Sequence, residues 1–116
     1  MDVYVDGSGK NGTYCYVILG KKPKIFREEL LTNNQAEYKA IIAALQELED
    51  DEMTICSDSL LAVKQLEGEY KIRNPELRKL ASKVRSLSSH REVIFKWIPR
   101  EENLAGKVLD KLAKGW

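Results

Sequence analysis

Apolar positions fall into short strand-like runs over the first third of this chain and into helical stripes after it. Val3-Tyr4-Val5 is a short apolar run that stops at Asp6, and Gly7 to Gly12 is turn chemistry. Thr13 to Leu19, rich in β-branched and aromatic residues, reads as a second strand. Gly20-Lys21-Lys22-Pro23 turns the chain again, and Lys24 to Leu31 reads as a third. The short connections make these three an antiparallel meander. Thr32-Asn33-Asn34-Gln35 then has the spacing of a helix capping box. Ile41, Ala44, Leu45 and Leu48 follow as a stripe at helical spacing. Glu37 lies on that stripe, an unusual place for a carboxylate. The acidic run Glu49 to Glu52 opposes a helix C-terminal dipole and reads as a connecting loop.

Met53 to Ser57 reads as a strand ending at Asp58, and Leu60, Ala62, Val63 and Leu66 as a short helix broken by Gly68. Asn74-Pro75 opens another helix with proline in its first turn, carrying Leu77, Leu80, Ala81, Val84 and Leu87. Val93 to Ile98 is a last strand stopped by Pro99, and residues from about 101 to 114 form a last helix. The order βββαβααβα over 116 residues predicts one α/β domain, 1–116. Strands joined through helices run parallel, with right-handed crossovers.

Charge changes this picture only through its distribution. The net is +1, but residues 1–58 carry 6 basic and 11 acidic side chains, while 59–116 carry 13 and 7. Lys71 to Arg100 holds 9 basic and 2 acidic residues, which suits a polyanion or, more plainly, a solvated basic helix. No apolar run is long enough to span a membrane and no secretory signal opens the chain, so a cytoplasmic protein is expected. Two cysteines far apart, Cys15 and Cys56, fit buried thiols in a reducing compartment. Gly7-Ser8-Gly9-Lys10 lacks the first glycine and the Ser/Thr of a phosphate loop, which excludes that reading.

Asp6 and Asp58 each end an apolar strand. In mixed α/β sheets ligands gather beyond the carboxyl ends of parallel strands, so parallel neighbouring strands would bring both acids to one edge. Glu37, in the first turn of a helix facing the sheet, can join them. Three carboxylates in one partly buried place repel and must take up protons or bind cations. Oxygen-only ligands suit Mg²⁺ or Mn²⁺. Such a cluster beside a basic segment has the parts for two-metal phosphodiester cleavage. Each acid also has a plainer reading: Asp6 in a turn, Asp58 as a helix N-cap, Glu37 as an exposed first-turn acid.

Taken together, the sequence resembles type 1 ribonuclease H, in particular its short archaeal-like branch. The resemblance rests on Val5-Asp6-Gly7-Ser8, Thr32 to Tyr38, Ser57-Asp58-Ser59, Gln65 to Lys71 with Arg73 to Leu77, and Trp97 to Asn103, in that order. It implies an RNase H-like five-stranded mixed sheet of order 3-2-1-4-5, with helices on both faces. It also implies hydrolysis of the RNA strand of RNA–DNA hybrids to 5′-phosphate and 3′-hydroxyl ends, with two Mg²⁺ or Mn²⁺ ions. Asp6 would bridge both metals and Glu37 and Asp58 would hold the one on the leaving-group side. Asn33 and Asn34, with Thr32, Gln35, Gly7, Ser8 and Ser59, would contact nucleic acid. A monomer is expected, and a catalytically weak or inactive hybrid-binding module is the alternative.

The sequence departs from the family in four places, the largest of them at the fourth acid. Leu60 stands where Gln is frequent, the basic handle is missing between Tyr70 and Pro75, and Trp97-Ile98-Pro99-Arg100 replaces a histidine loop. His90 is therefore read as a surface residue and Arg100 as the polar helper near the scissile phosphate. The family pattern Asn-x-x-Ala-Asp-x-Leu-Ala puts the fourth acid at Lys107 when counted from Asn103, and at Asp110 when counted back from Leu112-Ala113. A lysine beside divalent cations would be repelled. Asp110 is thus the expected fourth ligand, with Lys107 at the rim for a substrate phosphate and Glu102 in reserve.

Overall fold

A computed structural model describes residues 1–115. Strands β1 (Asp2–Ser8), β2 (Thr13–Val17), β3 (Lys24–Arg27), β4 (Glu52–Ser57) and β5 (Glu92–Trp97) form one sheet of order β3-β2-β1-β4-β5. The first three pair antiparallel, whereas β1–β4 and β4–β5 are parallel. Helices α1 (Asn33–Glu47), α2 (Leu60–Leu66), α3 (Pro75–Ser88) and α4 (Leu104–Ala113) complete the fold.

Strand alternation separates two cores. Val3 and Val5 point from β1 into the larger one, with Tyr38, Ile41 and Leu45 of α1, Met53 and Ile55 of β4, and Leu77, Ala81 and Val84 of α3. Tyr4 points to the other face, where Cys15 and Val17 meet Ala105 and Leu109 of α4. Asp6 shares the parity of Tyr4 and so emerges on the α4 side. Helix α1 is buried well beyond its predicted stripe, from Ala36 to Leu45 with only Lys39 partly exposed. It lies between the sheet and α3, and a helix covered on two sides needs apolar residues most of the way round.

The local stop and start signals act as the sequence predicts. Thr32 Oγ1 accepts from Gln35 N–H at 3.1 Å while the Gln35 side chain accepts from Thr32 N–H at 2.9 Å, closing the capping box. Asn74 caps α3, with Pro75 at its first position. Several boundaries differ. Strand β1 does not stop at Asp6 but runs on through Gly7 and Ser8, which pair with Tyr14 and Thr13; β2 ends at Val17 and not Leu19; and Glu52 opens β4 by pairing with Glu92. Strand β3 ends at Arg27 and not Leu31, because Leu30 takes a left-handed φ of 66° that no strand can continue. The last helix begins at Leu104, since Arg100–Glu102 forms a separate 3₁₀ turn.

Cys15 lies opposite Asp6 and Cys56 opposite Tyr4, on either side of β1. Two strand spacings of ~4.8 Å keep them apart, and both are free and buried. Much of the basic segment is used internally. Arg91 donates to the Leu45 and Leu48 carbonyls at 2.9 and 2.8 Å, satisfying the C-terminal end of α1. Arg78 holds the Ile72 carbonyl and Arg85 that of Gln65. Lys79 and Lys83 remain exposed on α3.

Candidate active site

The carboxyl end of β1 delivers Asp6, the residue after β4 is Asp58, and the first turns of α1 deliver Glu37. One oxygen from each of the three lies within 4.8 Å of the other two. This closeness depends on glycine at position 7. A Cβ on Gly7 would stand 2.3 Å from the Ala36 carbonyl carbon and 2.6 Å from Glu37 N, so only glycine lets α1 start against β1. Gly9 likewise sits under the loop before α1, where its N–H donates to Asn33 Oδ1 at 2.8 Å.

The three acids differ in environment. Glu37 is buried, and burial, reinforced by the Asp6 carboxylate, raises its pKa well above the ordinary value. The Gly7 N–H and, at 3.5 Å, the Ser57 hydroxyl donate to it. Burial also raises Asp6, opposed by hydrogen bonds from Glu37 and Arg100. Both carboxyls are thus pushed toward the protonated form, the more buried Glu37 further than Asp6. Asp58 is less enclosed and accepts from Asn103 Nδ2 at 2.8 Å. The N-cap of α2 is Ser59, not Asp58: Ser59 Oγ accepts from Ala62 N–H, which leaves the Asp58 carboxylate free for the site.

A cavity of about 290 Å³ opens here, lined by Asp6, Gly7, Ser8, Asn11, Asn33, Glu37, Asp58, Arg100, Leu109, Asp110 and Ala113. Asp110 thus stands on its wall, and Arg100 bridges it to Asp6 and Asp58. Lys107 is exposed on α4 and is not part of that wall. Asn34 is exposed at the start of α1, while Thr32 and Gln35 are occupied with each other. His90 lies exposed after α3, paired with Ser89.

Sequence reasoning missed Asn103. It is fully buried, donates from Nδ2 to the Val5 carbonyl at 2.9 Å as well as to Asp58, and caps α4 through Ala105 N–H. One side chain thereby ties β1, Asp58 and α4 together. Its position just before Leu104 was a readable N-cap signal; its reach to β1 was not.

A group whose pKa is raised on folding binds its proton more tightly in the folded protein. That proton stabilises the fold at pH values below the ordinary range, and the benefit is lost as pH rises through the folded pKa. Glu37→Gln is therefore expected to melt higher than the parent at pH 7.5 in chelator, with the gap closing toward pH 4. Melting curves across that range check it; an equal or lower value at pH 7.5 would contradict a buried, charge-crowded Glu37.

This sheet order and this meeting of acids define a ribonuclease H fold with its acidic centre. The RNase H family profile matches residues 1–115, and the chain belongs to that family. Ribonuclease HI of Halobacterium salinarum is 38% identical over 88 residues, covering 68% of this chain and 44% of that protein. The RNase H1 structure from that archaeon superposes with a TM-score of 0.82 at 26% identity, over 99% of this chain and 98% of that one. LC11-RNase H1, solved in complex with an RNA/DNA hybrid, gives 0.78 at 27% identity over 97% and 98%. The bifunctional protein Rv2228c of Mycobacterium tuberculosis is 36% identical over 92 residues, 72% of this chain. The chain spans only 25% of the length of that relative.

Proposed function

We propose that this chain is a divalent-metal-dependent endoribonuclease that cleaves the RNA strand of RNA–DNA hybrids, leaving 5′-phosphate and 3′-hydroxyl ends. The observation that carries this reading is the convergence of Asp6, Glu37 and Asp58 oxygens within 4.8 Å, at the edge where β1 and β4 end. An all-oxygen donor set of this kind fits Mg²⁺ or Mn²⁺. Asp6, Glu37, Asp58 and Asp110 are the residues that would hold two such ions. When bound, the ions supply activation of the attacking water and charge neutralisation at the leaving oxygen.

The chain's own residues do the rest. Asn33 is fixed by the Gly9 N–H at its carbonyl oxygen, so its amide N–H groups are left to donate to nucleic acid at the cavity wall. Asn34 presents its side chain to solvent beside it. Gly7 and Ser8 line the same wall and leave room for a backbone to approach. Thr32, Gln35 and Ser59 position these groups through their caps. Contacts of this type fall on phosphates and sugars, so base-sequence preference is expected to be slight. The two buried free thiols fit a reducing, cytoplasmic setting.

A strand-labelled assay on RNA–DNA, RNA–RNA and DNA–DNA duplexes with Mg²⁺ or Mn²⁺ tests the reading. Cuts confined to the RNA of the hybrid and abolished by chelator are expected. Hybrid binding without any cut would favour an inactive binding module. Asp110→Asn is expected to slow cleavage about a hundredfold, roughly 3 kcal/mol in the barrier, and Lys107→Ala to weaken hybrid binding with little change in single-turnover rate. A near-parental Asp110→Asn would remove Asp110 from the metal-holding set.

A further inference from the structure

Arg100 is the point at which three of the four acids meet. Its Nη1 lies 2.9 Å from Asp6 Oδ2 and 2.8 Å from Asp58 Oδ2, and its Nη2 lies 3.0 Å from Asp110 Oδ1. Glu37 is not among its partners. The guanidinium has a built seat on α4. A Cβ at position 106 would stand 2.7 Å from Nη1 and 2.8 Å from Cζ, so glycine there is what lets the group lie against the helix. The seat is not sealed. The Arg100 side chain is 47% exposed while that of Asp6 is 4% exposed, which puts the arginine between the acids and solvent with open space to move into.

The oxygens that Arg100 holds belong to the residues assigned above to the divalent ions. A cation such as Mg²⁺ approaches its ligand oxygens to about 2.1 Å. At that range a guanidinium on the same oxygens would meet strong like-charge repulsion in a partly buried place. The two cations are therefore alternatives.

We propose that Arg100 is a displaceable internal counter-cation of the acidic centre, so that loading a divalent ion is an exchange reaction. The guanidinium leaves Asp6 and Asp58 and becomes available to a substrate phosphate. The inference rests on the metal-holding role of the carboxylates. It carries two consequences. The arginine lowers the protein's apparent affinity for metal. It also couples metal loading to anion binding, because its phosphate-binding fork is freed only by the exchange.

The test is calorimetric titration of Mn²⁺ alone into the chelator-treated 116-residue chain, with no nucleic acid present. Arg100→Ala is expected to bind Mn²⁺ about tenfold more tightly than the parent, within the usual size of a coupling between two sites. Its melting temperature should be lower than the parent's in chelator and should rise by more on adding saturating Mn²⁺. Gly106→Ala, which fills the seat and keeps the arginine, should shift Mn²⁺ affinity in the same direction. Should Arg100→Ala fold poorly, Gly106→Ala and Arg100→Lys carry the comparison, the lysine falling between parent and alanine because one ammonium cannot span three carboxylates. Unchanged or weaker Mn²⁺ binding in these variants, with the parent binding normally, would overturn the exchange. Absence of Mn²⁺ binding in parent and variants alike would instead overturn the metal-holding role itself.

Discussion

Asp6→Asn is expected to reduce hybrid cleavage by at least about a thousandfold, close to 4 kcal/mol in the barrier. The replacement keeps the shape of the side chain and removes its charge. Asp6 sits at the middle of the cluster: it is 3% exposed, has an oxygen within 4.8 Å of oxygens of Glu37 and Asp58, and is paired with Arg100. A neutral amide there cannot draw a cation into the centre. Hybrid binding should stay the same or tighten, because one negative charge facing the phosphates is gone. Single-turnover rates and binding measured side by side check both parts. Retention of a tenth or more of the parental rate would refute a central metal-holding role for Asp6.

The second large effect is structural. Asn103→Ala would strip a partner from the Val5 carbonyl, from Asp58 Oδ2 and from the Ala105 N–H at once. The first of these contacts is buried, where an unmet group costs about 1–3 kcal/mol; loss of a helix cap adds about 1 kcal/mol. A total near 3 kcal/mol is expected, or roughly 10 °C or more in melting temperature for a chain of this size. Cleavage by the folded fraction should also fall, since Asp58 loses the donor that orients it. Asn103→Asp keeps an acceptor for the cap but sets a carboxylate against Asp58, and is expected to be no better. A melting temperature within ~3 °C of the parent for the alanine variant would show that α4 is held elsewhere.

Most of the fold was legible because its signals are local. Proline and asparagine at 74–75, the Thr32–Gln35 box, and the change from short apolar runs to helical stripes each act within a turn or two of chain. The three acids were legible because two end strands that the topology makes parallel, and the third breaks an otherwise apolar stripe. The rest depends on distances that no local pattern encodes. Leu30 adopts a positive φ without being Gly or Asn, so the early end of β3 had no marker. The 3₁₀ turn at 100–102 sets where α4 starts, and so which of its faces meets β1; the two counts for the fourth acid diverge downstream of it, between Asn103 and Leu112, and only the fold shows Asp110 on the cavity wall. The joint grip of Arg100 on Asp6, Asp58 and Asp110 spans three separate elements and could not be read from any of them.

The centre is assembled from residues 6, 37, 58 and 103–110, and the last of these close it. During synthesis from the N-terminus, β1, α1 and β4 leave the ribosome before α4 exists. Until then Asp58 lacks its Asn103 donor, β1 lacks the cover of Ala105 and Leu109, and the guanidinium of Arg100 has no Gly106 seat. The proposed centre is thereby kept incomplete until α4 has been made. Any premature termination upstream of α4 yields a fragment with three acids but without the helix that closes the centre.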